Sequence, residues 1–125
     1  GDGLMAVFDS SPAGIQAAAQ MHEALERLVQ RGSEHGASAG LRALRLQVAL
    51  ARGEVVEMGG DCFGDAVNVA SRVESMTKDH GVHVLITGEI VARLTDRSKY
   101  KLRMVAHGVP VRGRDEQIDL YTLAG

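Results

Sequence analysis

Residues 61–75 decide the fold of this chain, and they read Asp-Cys-Phe-Gly-Asp-Ala-Val-Asn-Val-Ala-Ser-Arg-Val-Glu-Ser. Gly64 can adopt turn conformations that are closed to residues with a Cβ atom. Asp65 follows it as a favourable N-cap, so a helix is expected to begin there. The stretch therefore predicts a tight turn and then an amphipathic helix. Small or apolar side chains recur at helical spacing to form its buried face: Ala66, Val69, Ala70, Val73 and Met76.

Two polar side chains of this predicted helix suggest a ligand site. Asn68 and Arg72 are four residues apart, so they lie one turn from each other on a face that differs from the apolar one. A guanidinium can fork onto phosphate oxygens, and an amide can hold a sugar or bridging oxygen. The pair would suit a phosphate ester. From spacing alone the more common case is a solvated helix face, with Asp65 as a cap and nothing more.

Strands and helices alternate along the rest of the chain. Apolar spacing predicts a first helix from Ser10 or Ser11 to about Gln30, with Pro12 in its first turn. Residues 32–40 are small and polar and predict a flexible connection. Helices packed on one face of a largely antiparallel sheet would give an α+β sandwich. The predicted strands are 4–8, 41–51, 54–58, 82–87, 100–106 and 118–123; Gly81 predicts a helix end, and 88–94 a short helix.

Composition restricts the classes of function. The 125 residues fit one domain, and 45% hydrophobic with 24% charged residues is usual for a globular chain. The formal net charge is −2, so there is no electrostatic reason to expect a nucleic-acid partner. Cys62 is the only cysteine, which excludes an internal disulfide and favours a reducing, cytoplasmic location. No run of about 18 apolar residues could span a bilayer, so any membrane link would come from segments outside this chain.

Histidine ligands for a metal are not expected. None of the histidines has zinc-like spacing with Cys62. His22 lies on the inner face of the first predicted helix, and we expect a satisfied core or interface histidine there. Cys62 is expected to be packed in the interior, with a redox-sensitive thiol as the alternative. The five histidines are His22, His35, His80, His83 and His107.

Residues 61–72 closely resemble the nucleotide-proximal motif of the class III adenylyl and guanylyl cyclases. In that family a base-reading residue is followed by x-x-Gly-Asp-x-Val-Asn-x-Ala-x-Arg, and residues 61–72 here read Asp-Cys-Phe-Gly-Asp-Ala-Val-Asn-Val-Ala-Ser-Arg. Residues 1–8, 53–56 and 84–87 resemble the Gly-Asp-Gly hairpin and two further strands of the same enzymes. The resemblance implies one nucleotide cyclase catalytic domain over residues 1–125, with a ferredoxin-like sandwich. It also implies conversion of ATP to 3′,5′-cyclic AMP and pyrophosphate for intracellular signalling.

The resemblance assigns expected roles to individual residues. Asn68 and Arg72 match the pair thought to stabilise the transition state, in which Arg72 would take charge on the phosphates and Asn68 would orient the ribose. Asp61 matches the position that reads the purine, and Phe63 and Gly64 beside it are expected to bind substrate. A carboxylate at position 61 implies ATP, because guanylyl cyclases usually carry a small neutral residue there, often Cys.

Asp2 matches one of the two metal-binding aspartates of the family, and the resemblance therefore implies a two-ion Mg²⁺ or Mn²⁺ site. Without the resemblance, Asp2 would be interpreted as a turn residue near a terminus. The other aspartate and an adenine-reading lysine of the family would lie before Gly1, so we expect the domain to lack its N-terminal portion here. Family members build their sites between two chains, which implies a homodimer, and this chain alone is expected to be weakly active or inactive.

Three alternatives stay open at this stage. Guanylyl cyclase is the first, within the same enzyme class. The second is a non-catalytic regulatory domain that uses the nucleotide pocket without turnover. The third is a structural fragment that pairs through the apolar strand expected at 4–8, since an unpaired strand edge favours association.

Overall fold

Three α-helices and six strands are formed by the residues that the computed structural model describes, which are 6–8, 10–34, 46–111 and 116–123. The elements before residue 65 lead up to the helix predicted there, and the elements after that helix complete the main sheet. The elements are α1 (Ser11–Glu34), β1 (Val48–Leu50), β2 (Val56–Met58), β3 (Asp61–Phe63), α2 (Asp65–Ser75), β4 (Val84–Thr87), α3 (Gly88–Ala92), a 3₁₀ turn (Arg97–Lys99), β5 (Leu102–Val109) and β6 (Ile118–Leu123).

The main sheet has four strands in the order β1-β4-β6-β5, and β2 pairs with β3 in a separate two-stranded sheet. Strand β1 runs parallel to β4, with Leu50 opposite Ile86. The β4–β6, β5–β6 and β2–β3 pairs are antiparallel. The predicted α+β class with a largely antiparallel sheet is therefore confirmed.

The helices cover both faces of the main sheet, which differs from the predicted packing on one face. Val84 and Ile86 of β4 point into a cluster with Ile15 of α1 and with α3. Leu85, between them, points the other way and packs with Val69 and Val73 of α2. The physical reason lies in β4 itself, because all four of its residues are buried. A strand that is apolar on both sides needs cover on both faces.

Helix α1 begins as predicted and ends later. The Ser10 hydroxyl accepts a hydrogen bond from the Ala13 amide at 3.3 Å, so Ser10 caps the helix, and Pro12 lies in its first turn. The helix continues through Gly32 to Glu34 rather than stopping near Gln30, because one glycine inside a helix weakens it by only about 1 kcal/mol. Residues 32–34 of the flexible connection predicted over 32–40 are therefore helical, and residues 35–40 lie outside the described residues.

Several predicted strand boundaries are corrected. Residues 6–8 form no strand, and 4–5 lie outside the described residues. The strand predicted over 41–51 is observed only as β1, with 41–45 outside the described residues. Strand β5 begins and ends later than predicted and carries irregularities between Met104 and Val109. Strand β6 was predicted with its observed bounds, because its alternating pattern is set by one buried face.

His22 and His83 hold α1 against the start of β4. Their ring centroids are 5.8 Å apart at an interplanar angle of 41°. The Nε2 atom of His22 is buried and has no hydrogen-bond partner among the described residues, so the histidine expected to be satisfied is only partly so there. Burial, and then repulsion from His83, lower the pKa of His22, while the hydrogen bond that its ring donates to the backbone of His83 and the charge of Glu26 oppose this shift.

This contact predicts acid sensitivity of the fold. The unfolded chain should take up a proton at His22 near its ordinary pKa of 6.5, whereas the folded chain resists protonation to a lower pH. The free energy of unfolding should therefore fall as pH drops from 7 through 6.5. His22→Gln should reduce this slope in urea denaturation series between pH 5 and 8, because it removes the differential proton uptake.

His80→Gln is the matched control for this series. His80 lies in the turn after α2 and is not among the groups that shift the pKa of His22, so its substitution should leave the acid sensitivity that His22 causes in place. Equal slopes for the wild-type and His22→Gln proteins would contradict the prediction.

Candidate functional site

A short hairpin, β2 and β3, presents the first candidate residues. Val56 pairs with Phe63, and Met58 pairs with Asp61. Gly59 and Gly60 form the turn with φ values of 58° and 84°, a backbone that few other residues adopt. The strand at Asp61–Phe63 was not predicted. Two glycines between extended segments are a hairpin signal that could have revealed it.

The two faces of this hairpin differ in chemistry. Asp61 and Phe63 share one face with Val56 and Met58, because directly opposed residues and residues two apart point the same way. Val56, Met58 and Phe63 are 55%, 64% and 53% exposed. Cys62 lies on the opposite face across from Glu57, and it is half-buried rather than interior. The candidate base-reading carboxylate thus lies within an exposed apolar surface.

Gly64 joins the hairpin to helix α2 and admits no side chain. Its backbone has φ 145° and ψ 164°, and a Cβ built there would lie 2.5 Å from the Glu54 carbonyl oxygen. Gly64 is the N-cap of α2, and its carbonyl accepts hydrogen bonds from the Val67 and Asn68 amides. The expectation that Asp65 caps the helix was wrong. Asp65 is the first helical residue, where a carboxylate is favourable beside the helix dipole.

Helix α2 holds Asn68 and Arg72 one turn apart. Its Ala66, Val69 and Val73 are buried against the sheet, whereas Asn68 is exposed and Arg72 is half-buried. Within the described parts of the chain, the Asn68 amide and the Arg72 guanidinium make no hydrogen bond or ion pair. Both groups are therefore available to a ligand while the backbone that carries them is anchored in the core.

The candidate metal ligand Asp2 lies outside the described residues. Among the residues that the structure describes, no group of three or more His, Cys, Asp or Glu side chains could hold a metal ion. The described residues therefore do not by themselves fit a metal centre, and the metal role of Asp2 stays a prediction.

Among the described candidate residues, Asp61, Phe63 and Asn68 are exposed, and Gly64 and Arg72 are half-buried. A cavity of about 480 Å³ lies elsewhere, between α3, β5 and β6, and none of the candidate residues lines it. At its edge the His107 Nδ1 atom is 2.7 Å from a carboxylate oxygen of Asp119. The described candidate residues are thus carried by the hairpin and by the start of α2, at exposed or half-buried positions.

Comparison with known proteins identifies the family. The model of the adenylate and guanylate cyclase catalytic domain matches residues 1–125, which is the whole chain. The chain belongs to this family. The cyclase resemblance of residues 61–72 is thereby confirmed, and the α+β sheet with its helices agrees with the fold of this catalytic domain.

Curated relatives carry adenylate cyclase names. The chain is 34% identical over 131 residues to an adenylate cyclase of Anabaena cylindrica, covering 97% of this chain and 26% of that protein. It is 41% identical over 63 residues to adenylate cyclase 1 of Rhizobium meliloti (strain 1021), covering 50% of this chain and 9% of that protein. A terminal-differentiation-specific adenylate cyclase of Dictyostelium discoideum is 27% identical over 132 residues, covering 97% of this chain and 6% of that protein. The chain thus spans about a quarter or less of these relatives.

Family membership carries coarse properties with it. Cyclase catalytic domains act on a nucleotide, generally use divalent metal ions and generally work as dimers. None of the helices in the described residues is long and apolar enough to cross a membrane.

The steric restriction at Gly64 gives a testable prediction. Gly64→Ala should lower the free energy of unfolding by about 2–4 kcal/mol, because the methyl group meets the Glu54 carbonyl and the backbone conformation is closed to alanine. Gly81→Ala is the matched control. Gly81 has φ 65° with nothing within 4 Å of a built Cβ, so only about 1–2 kcal/mol of backbone strain is expected there. Urea denaturation measures both, and equal losses would contradict the steric argument.

Proposed function

We propose that this chain is an adenylyl cyclase catalytic domain that converts ATP to 3′,5′-cyclic AMP and pyrophosphate. The observation that carries the proposal is the arrangement of Asn68 and Arg72 on the helix that directly follows, along the chain, the hairpin that bears Asp61. Neither side chain has a protein partner in the described residues. The adenylate cyclase names of the relatives support the choice of ATP.

The reaction needs positioning and charge neutralisation more than covalent catalysis. The ribose 3′-oxygen forms a bond to the α-phosphorus and loses its proton, while the bond from that phosphorus to the bridging oxygen breaks and pyrophosphate leaves. Arg72 would hold the phosphate oxygens on which negative charge grows, and its planar fork suits two of them at once. Asn68, one turn earlier, would hold the ribose so that the 3′-hydroxyl faces the phosphorus. A preorganised donor of this kind acts without reorganisation during the reaction.

Recognition of the base is assigned to the hairpin. Asp61 would accept a hydrogen bond from the adenine amino group, and Phe63 on the same face would offer an apolar ring against the purine. Gly64 would let the backbone pass close to the nucleotide without a side chain, in addition to its steric role against Glu54. A guanine presents a carbonyl in place of the amino group, so the Asp61 carboxylate would repel it.

Two further properties complete the proposal. Asp2 would contribute one carboxylate to a Mg²⁺ or Mn²⁺ site, and the metal would supply charge neutralisation at the triphosphate. ATP as substrate agrees with a cytoplasmic location for the domain.

A homodimer is the proposed form of the active protein. Asp61, Phe63 and Asn68 are exposed on one chain, and three apolar side chains of the hairpin surround Asp61 at more than half exposure. Apolar surface of this kind is favourable to bury against a partner. A second copy seated on the hairpin would cover these side chains and close the open side of the nucleotide site, which would exclude water from it.

The function is tested by product analysis. The longest natural form of the protein that contains this chain is incubated with ATP or GTP and Mn²⁺, and cyclic AMP and cyclic GMP are quantified by mass spectrometry. Cyclic AMP is the expected product, and Arg72→Ala should reduce kcat by about 10²–10³-fold with a smaller change in KM. The 125-residue chain alone should give little or no product.

Two controls make this assay specific. Arg93→Ala removes an exposed arginine from the end of α3 and should leave the rate unchanged. Asp61→Cys should lower the preference for ATP over GTP by about tenfold or more, because a hydrogen bond to a charged group contributes about 1.5–3 kcal/mol. Cyclic GMP as the main wild-type product would replace the proposal with a guanylyl cyclase. Nucleotide binding without any cyclic product would replace it with a regulatory domain.

The homodimer gives its own prediction. Met58→Glu should raise the dimer dissociation constant by about tenfold or more, because it places a charge beside Asp61 in the proposed interface. Met104→Glu is the matched control, since Met104 is 46% exposed on β5, outside the hairpin. Sedimentation velocity over a concentration series measures both variants. The same response to both substitutions would contradict the assignment of the hairpin to the interface.

A further inference from the structure

Gly53 approaches helix α2 more closely than a residue with a side chain could. A Cβ built on Gly53 would lie 2.9 Å from the Ala66 Cβ, nearer than two such carbons normally come. The backbone of Gly53 is not in the left-handed region, so the restriction there is one of space. Ala66 is 8% exposed and belongs to the first turn of α2, so its methyl group cannot rotate out of the way.

The position of this contact links the two halves of the candidate site. Gly53 lies between β1, which belongs to the main sheet, and β2, which begins the hairpin with Asp61. Ala66 lies two residues before Asn68 on α2. One residue further along, the Glu54 carbonyl oxygen would lie 2.5 Å from a Cβ built on Gly64. These two contacts, each with a glycine as one partner, therefore fix the start of α2 against the strand connection that leads into the hairpin.

We propose that Gly53 is a positioning residue of the cyclase site, which sets the distance between the hairpin carrying Asp61 and the helix carrying Asn68 and Arg72. This inference rests on the proposed function. A purine held at one end and phosphates held at the other require that distance to match the length of the nucleotide. Gly53 itself touches neither end and acts through Ala66.

The size of the effect follows from geometry. Ordinary carbon contacts lie at about 3.5–4.0 Å, so an added methyl group at Gly53 displaces the start of α2 by roughly 0.5–1 Å. A misplacement of about 1 Å can slow an enzymatic step about 10²-fold. Gly53→Ala should therefore lower kcat for cyclic AMP formation by about 10-fold to 100-fold. KM for ATP should change by less than about threefold, because the binding groups are all retained.

A swap of the two side chains provides the decisive variant. Gly53→Ala combined with Ala66→Gly moves the methyl group from the helix to the strand connection and removes the clash. It should restore kcat to within about threefold of the wild-type value, whereas Ala66→Gly alone should change kcat little. Gly14→Ala is the matched control, because a Cβ built there meets Leu50 at an ordinary 3.7 Å and Phe8 at 3.8 Å. It should leave kcat unchanged.

The experiment uses the longest natural form of the protein and two readouts. The first is the kcat and KM of the four variants and the wild type for cyclic AMP formation, measured well below their melting temperatures. The second is independent of activity: the amide NMR shifts of Asn68 and Arg72 in the same form should move in Gly53→Ala and return in the swap. Full activity in Gly53→Ala, or a loss that the swap does not recover, would overturn the positioning role.

The two readouts separate failure of this inference from failure of the proposed function. A wild-type protein that makes no cyclic AMP would overturn the function, and the NMR shifts would still test the seating of α2. Shifts that do not move in Gly53→Ala would overturn the inference even in an active enzyme. If Gly53→Ala does not fold, the swap still decides, because its kcat must match the wild-type value within the stated range.

Discussion

Strand β4 is buried along its whole length, and the three helices of the described chain pack against its two faces. Leu85 and Ile86 are fully inaccessible to solvent and point to opposite sides. Burying side chains of this size contributes about 1.5–3 kcal/mol each. Because β1 and β6 both pair with β4, the parallel and antiparallel parts of the sheet meet there. The sheet order and the two cores therefore depend on this one strand.

The candidate site gains its rigidity from that core without being part of it. Val69 and Val73 anchor α2 on the sheet, and the same helix turns Asn68 toward solvent and leaves Arg72 half-buried. A helix with one buried face holds its other residues at fixed heights and angles. The two close backbone approaches at Gly53 and Gly64 then set where the helix begins. The candidate groups Asn68 and Arg72 are thus held in place by the packing of the opposite face of their helix, as a site that stabilises developing charge would require.

Within the described residues, the hairpin part of the candidate site is exposed. The hairpin presents Asp61 within an exposed apolar surface, and the described cavity of about 480 Å³ lies on another part of the fold. Electrostatic interactions strengthen when water is excluded. A site that neutralises phosphate charge would gain from a covering partner, and the exposed apolar side chains of the hairpin would gain from burial as well. The proposed homodimer satisfies both requirements with one surface.

The sequence by itself determined the helix at α2, the spacing of Asn68 and Arg72, strand β6 and the family, because these follow from local periodicity and from a long contiguous motif. The roles of all the candidate site residues stay predictions: Asp2, Asp61, Phe63, Gly64, Asn68 and Arg72. Tertiary structure alone decided that helices cover both faces of the sheet and that Gly64 rather than Asp65 caps α2, whereas the pairing of residues 61–63 as a strand has a local signal in the two glycines before it. The first two depend on which other segment comes into contact: α1 against β4, and the Glu54 carbonyl against Gly64. Local patterns specify what a segment can bury or pair, and the packed chain selects the partner.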